Sequence, residues 1–256
     1  MPEEAQSEQS KPNHTPSSLM QPIYKRILLK ISGEALMGDN PYGIHAEALN
    51  RITQEIAKVS AMGIELCLVL GGGNIFRGLS AAKDIERTTA DYMGMLATIM
   101  NALALQSALE KHGLPTRVLS AIPMDSICEP YIRRRAVRHL QKGRIVIFSA
   151  GTGNPYFTTD TGAALRASEM ECEIMIKATK VDGVYDSDPK QNPNATRFQE
   201  ISYEEALTRN LKIMDMAAIA VCRDNRLPIA VFCMDDADSF ENIVCGKGNF
   251  TKIIES

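Results

Sequence analysis

Four clusters of residues in this chain have the types and spacing to bind phosphate. The densest is Gly151-Thr152-Gly153-Asn154-Pro155, followed by Thr158, Thr159 and Asp160. A glycine turn offers backbone N–H groups without side-chain bulk, and hydroxyls beside a helix N-terminus add donors for an anion. The second cluster is Gly71-Gly72-Gly73-Asn74-Ile75-Phe76-Arg77-Gly78, whose amides can close on an anion while Arg77 supplies a charged fork. It is not a P-loop, because Leu79 stands where lysine is required. It is not a dinucleotide fingerprint either, because Phe76 takes the place of the third glycine. The other two clusters carry lysines. In Lys30-Ile31-Ser32-Gly33 the ammonium can aim at a phosphate or snorkel at the rim of a sheet. Lys177 lies inside the apolar run Ile174–Ala178, where burial without an anionic partner would be costly.

Such clusters must be brought together by strands that end at one edge. Arg26–Ile31, Ile64–Leu70, Thr116–Ala121, Arg144–Ala150, Glu173–Ala178 and Pro228–Met234 read as strands, with Phe250–Ile254 as a final edge strand. Between them lie helical patterns at His45–Met62, about Arg87–His112, Ile132–Gln141, Thr161–Glu171 (with Asp160 as its N-cap), Tyr203–Thr208, Asp215–Arg226 and Asp236–Val244. The alternation predicts an α/β fold, a mostly parallel sheet covered by helices on both faces in a three-layer αβα sandwich. Ligands in such folds bind beyond the C-terminal ends of the strands, where all four clusters fall. Residues 23–256 are expected to form a single domain. Residues 1–22, polar and rich in proline and serine, are expected to be a disordered tail without the apolar stretch of a signal peptide.

The bulk properties narrow the function classes. A net charge of −3 over 256 residues gives no general pull toward nucleic acid or anionic membrane. The longest apolar runs, such as Ile64–Leu70, are far shorter than the roughly 20 residues of a membrane helix. Six cysteines without CxxC spacing read as reduced thiols, and a cytoplasmic location is expected. Isolated histidines make a zinc site unexpected. Arg133, Arg134, Arg135 and Arg138 read as a solvated helix face, and the Met/Leu face of Met93, Leu96, Met100 and Leu103 as core or subunit interface.

Lys30–Gly33, Gly71–Gly78, Asp91-Tyr92-Met93-Gly94-Met95, Ser149–Asp160 and Lys177–Asp188, in this order, closely resemble the bacterial uridylate (UMP) kinases of the amino acid kinase family. The resemblance runs from about Pro22 to the C-terminus. It implies ATP-dependent phosphorylation of UMP to UDP in de novo pyrimidine nucleotide biosynthesis. It assigns Lys30, Asp160 and Lys177 to catalysis. ATP is assigned to Lys30, Ile31, Ser32, Gly33, Gly73, Arg77, Thr179, Tyr185 and Asp188. UMP is assigned to Gly72, to Asp91 through its ribose, and to Thr152, Gly153, Asn154, Pro155, Tyr156, Phe157, Thr158 and Thr159. It also implies a homohexamer, inhibition by UTP, activation by GTP, and Mg²⁺ carried with ATP. No direct side-chain ligation of the metal is expected, although Asp160 can orient the lysines or hold Mg²⁺ through water.

The chemistry is consistent with this on its own terms. The second pKa of a phosphomonoester is near ~6, so the acceptor oxygen is already an anion and needs no general base. Three rivals are weighed. A kinase of the same fold acting on a carboxylate or carbamate leaves Asp91 and the Tyr156-Phe157-Thr158-Thr159 segment unexplained. A nicotinamide-dependent oxidoreductase lacks its fingerprint, and a nucleotide sensor without turnover has no use for Lys30, Lys177 and Asp160 together.

Overall fold

A computed structural model describes residues 21–76, 85–189, 191–211, 213–236 and 239–255. All of the tail except Gln21 and Pro22 therefore lies outside the described residues, as does Arg77. The elements run β1 (Arg26–Ile31), a 3-10 turn (Gly33–Leu36), α1 (Ala46–Ala61), β2 (Glu65–Leu70), α2 (Arg87–Lys111), β3 (Thr116–Ser120), β4 (Glu129–Pro130), α3 (Arg133–Gln141) and β5 (Ile145–Ser149). They continue with α4 (Thr159–Glu169), β6 (Ile174–Thr179), β7 (Glu200–Ser202), α5 (Tyr203–Thr208), α6 (Met216–Asp224), β8 (Ile229–Cys233), α7 (Ser239–Val244) and β9 (Thr251–Ile254).

The strands form one nine-stranded sheet in the order β4-β3-β5-β2-β1-β6-β8-β9-β7. Every neighbouring pair is parallel except β8 and β9. In the central strands both faces are covered, so they read as near-continuous apolar runs rather than alternating ones. Alternate residues of β1 divide between two cores. Ile27, Leu29 and Ile31 pack with Ile52, Ile56 and Val59 of α1, Leu105 and Leu109 of α2, and Phe240 of α7. Leu28 packs on the other face with Ala163, Ala164 and Ala167 of α4 and with Ala218, Ile219 and Cys222 of α6. Each fully buried Leu or Ile contributes about 1.5–3 kcal/mol by leaving water. The result is the expected three-layer sandwich.

One sequence expectation is corrected, and two strands are added. The C-terminal strand is not an edge, because β9 sits between β8 and the short β7, which closes the sheet. Strands β4 and β7 have two and three residues, too short for periodicity to reveal. Helix α2 is long and apolar enough by composition to cross a membrane. Its Ala102, Leu105 and Leu109 nevertheless lie in the core against the sheet. All six cysteines are free. In α3, Arg133 pairs with Glu171 at 2.6 Å and Arg135 with Glu129 at 3.6 Å, as a solvated basic face would.

Candidate active site

Strand register sets up the centre. Lys30 of β1 and Lys177 of β6 are direct partners in the parallel ladder, so both side chains leave the same face of the sheet. That face is covered by α4, whose first turn carries Asp160. Lys30 Nζ lies 2.8 Å from Asp160 Oδ1, and Lys177 Nζ lies 2.6 Å from Oδ2. Each carboxylate oxygen thus faces one ammonium group, and the Lys177 contact is aligned as a hydrogen bond. Lys177 donates in addition to the carbonyl of Ile213 at 2.6 Å. Lys30 is only 7% exposed and Asp160 9%, so Lys30 is no snorkelling rim residue.

Two ammonium groups share one carboxylate in a water-poor setting, a net buried positive charge that invites an anion. Burial by itself would raise the Asp160 carboxyl, but the charges of Lys30 and then Lys177 outweigh it and hold it below the usual aspartate value. Burial is also the larger influence on Lys177 and, with the charge of Lys30, draws it below the ordinary lysine value against the pull of Asp160.

The capping of α4 differs from expectation. Thr158, not Asp160, is the N-cap, its hydroxyl accepting from the backbone N–H of Asp160 and Thr161. Asp160 is thereby freed to face the lysines. Asp215, the N-cap of α6, accepts from the hydroxyls of Thr158 and Thr161 (2.9 Å for the latter), so the starts of the two helices are clasped together.

The glycine loops close around this centre. The N–H of Gly71 donates to the carbonyl of Ile31 at 2.9 Å. A Cβ on Gly33 would stand 2.5 Å from Asn74 Oδ1 and 2.7 Å from the carbonyl of Gly71, so only glycine lets the ends of β1 and β2 meet. Beside them a cleft of about 150 Å³ is lined by Gly72, Gly73, Phe76, Asp91, Thr98, Thr152, Asn154, Phe157, Thr158 and Thr159, among others. A second cleft, of about 360 Å³, has Lys177 and Asp215 among apolar walls from Leu207, Leu211, Met214 and Ile219. A third, of about 480 Å³, lies at the ends of β1, β6 and β8 and includes Ser32, Arg51, Thr179, Lys180 and Asp235. Among the described residues no group of three or more His, Cys, Asp or Glu is placed to hold a metal. The one carboxylate in the centre already serves two lysines, so a divalent cation fits here only as the companion of a bound polyphosphate.

Residues 25–233 match the model of the amino acid kinase family. The chain belongs to that family. Two relatives named uridylate kinase are 61% identical to it. The one from Cereibacter sphaeroides aligns over 231 residues, 90% of this chain and 94% of the relative. The one from Ruegeria pomeroyi aligns over 241 residues, 93% and 96%. Among solved structures, UMP kinase from Bacillus anthracis superposes with a TM-score of 0.88 at 40% identity, covering 91% of this chain and 97% of that one. UMP kinase from Ureaplasma parvum gives 0.86 at 42% identity, with 90% and 99% covered.

In this amino acid kinase the sequence-derived site is only partly gathered. Lys30, Lys177 and Asp160 converge, and most of the acceptor residues line the small cleft. Tyr156 turns outward, 67% exposed, and Gly153 and Pro155 do not line the cleft. Asp91 is heavily engaged, taking Arg87 Nε at 2.9 Å on each oxygen and the N–H of Tyr156 at 2.8 Å. On the donor side, the Thr179 hydroxyl donates to the carbonyl of Val181, the Tyr185 hydroxyl to Asp182, and Asp188 accepts from Gln191. Tyr185 and Asp188 line neither larger cleft. Sequence reasoning missed Asp215, which the Ser/Thr/Asp N-cap rule before Met216 could have flagged. It also missed Met95 and Thr98, which lie one and two turns beyond Asp91 and so on its helix face.

Proposed function

We propose that this chain is a UMP kinase, transferring the γ-phosphoryl group of ATP to the phosphate of UMP to give ADP and UDP. The observation that carries the reading is the buried Lys30–Asp160–Lys177 cluster, next in sequence to Thr158 and Thr159, which line the cleft that contains Asp91 and the loop glycines Gly72 and Gly73. A UMP phosphate oxygen attacks the γ-phosphorus, the bond to the β,γ-bridging oxygen breaks, and its electron pair leaves with ADP. Lys30 and Lys177 neutralise charge that would otherwise keep two polyanions apart, and they are already oriented, so little reorganisation is needed. Asp160 fixes both ammonium groups. The cleft at the ends of β1, β6 and β8, which includes Ser32 and Thr179, suits the donor nucleotide. Mg²⁺, travelling with the ATP phosphates, would supply further charge neutralisation.

The site implies discrimination at the acceptor sugar. Asp91 retains carboxylate lone pairs that can accept from ribose hydroxyls, and a lost buried pairing of this kind costs on the order of 1–3 kcal/mol. UMP is therefore expected to exceed dUMP in kcat/KM by about five- to 150-fold, measured by coupled ADP release. Equal values for UMP and dUMP would remove Asp91 from the acceptor site.

The same reading includes a cytoplasmic homohexamer under UTP and GTP control. Assembly through α2 is supported by its exposed apolar residues Tyr92, Met93, Leu96 and Met100. Sedimentation at micromolar concentration should give a hexamer, and a monomer would refute that assembly.

A further inference from the structure

We propose that Thr98 is a positioning residue for the acceptor loop, an inference that rests on the UMP kinase reading. The loop from Ala150 to Tyr156 begins and ends on non-glycine residues in the left-handed region, with φ 61° at Ala150 and 72° at Tyr156. Side chains rarely tolerate that conformation unless neighbours impose it. At both ends the neighbour is α2. The N–H of Ala150 donates to Thr98 Oγ1 at 2.8 Å, and the N–H of Tyr156 donates to Asp91 Oδ2 at 2.8 Å. Asp91 and Thr98 lie about two helical turns apart on one face, so a single rigid helix sets the span of the loop.

The Thr98 bond has a defined sense. Its hydroxyl proton goes to the carbonyl of Met95 at 2.7 Å, which leaves the oxygen lone pairs for Ala150. Thr98 is 3% exposed and Ala150 fully buried, so water cannot replace the acceptor. The next residue, Gly151, is also left-handed at φ 55°. It is backed by Gly162 of α4, where a Cβ would stand 2.9 Å from Gly151 Cα. The turn that opens the acceptor loop is thus held between α2 and the helix that carries Asp160. Without the Thr98 oxygen, Ala150 can relax toward ordinary φ and carry Thr152 and its neighbours away from the acceptor. The donor-side glycine loop is held by other residues: the N–H of Gly71 donates to the carbonyl of Ile31, and Asn101, one turn beyond Thr98 on α2, donates from Nδ2 to the carbonyl of Gly71 at 2.7 Å.

The test pairs Thr98→Val, which keeps the shape and deletes the oxygen, with Thr98→Ser, which keeps the oxygen. Thr98→Val should raise the KM for UMP about tenfold, the scale of one lost buried hydrogen bond, with the KM for ATP within about twofold. Thr98→Ser should stay near the parent in both. A merely structural role would lower the melting temperature and active fraction without separating the two KM values. The proposal is overturned by an unchanged UMP KM in Thr98→Val, by parallel rises in both KM values, or by Thr98→Ser as impaired as Thr98→Val. Hydrogen exchange at the Ala150 amide decides the anchor whatever the substrate: protection must fall in Thr98→Val, and retained protection overturns it. A parent enzyme without UMP turnover is a different failure, that of the functional reading.

Discussion

Lys30→Met is expected to lower kcat by ~10²–10³, the usual cost of removing one preorganised donor from the reacting charge. Its melting temperature should be unchanged or higher. The two effects separate because Lys30 and Lys177 compete for a single carboxylate. Removing Lys30 leaves Lys177 and Asp160 as a one-to-one pair, relieves like-charge repulsion, and fills most of the vacated volume with a methionine stem. The native arrangement therefore accepts lower stability so that charge is in place for phosphoryl transfer. Lys30→Arg should recover little, since a planar fork cannot reproduce a point charge in a space shaped for an ammonium. A kcat for Lys30→Met within a few-fold of the parent would mean that Lys30 does not face the transferring group.

Asp160→Asn should have the largest effect on stability. It removes the carboxylate that both buried ammonium groups contact, leaving only the more distant charge of Asp215 beside Lys177, and breaking a buried pair in this way costs about 3–5 kcal/mol. For a domain of this size that corresponds to a fall in melting temperature on the order of 10 °C. Inorganic phosphate or ATP should restore part of the loss by supplying the missing negative charge. The pH dependence has a definite sign. The folded-state pKa of Asp160 lies below the ordinary value of 3.8, so its stabilisation is present above that value and is lost as pH falls through the folded one. The parent should lose stability on acidification through this window, and Asp160→Asn should lack that component. A variant that melts within a degree or two of the parent, with the same acid profile, would show that Asp160 does not hold the lysines together.

Some of this was legible along the chain because it depends on local chemistry. Apolar β-branched runs broken by glycine announce strands and the loops at their ends, so the sandwich and its phosphate-facing edge could be expected from residues 26–234 alone. Gly71 and Gly72 of the second loop are of this kind, since a Cβ there would stand 2.9 Å from the Gly33 nitrogen and 2.8 Å from the Gly94 carbonyl oxygen. Other features were invisible because they depend on register. Nothing near Lys30 states that Lys177 will stand beside it; the β1–β6 ladder decides that, and the ladder alone turns two strand-end lysines into one charged pair. The N-cap of α4 went to Thr158 rather than Asp160 because the lysines compete for the carboxylate, and no local rule weighs a partner from a distant strand. Asp215 and Thr98 escaped for the same reason, each acting through a hydrogen bond to a segment remote in sequence. Residue types along the chain determined what chemistry was available. Only the packed sheet decided which groups would share a dry space, because the strength of a charge or hydrogen bond depends on the neighbours and water around it.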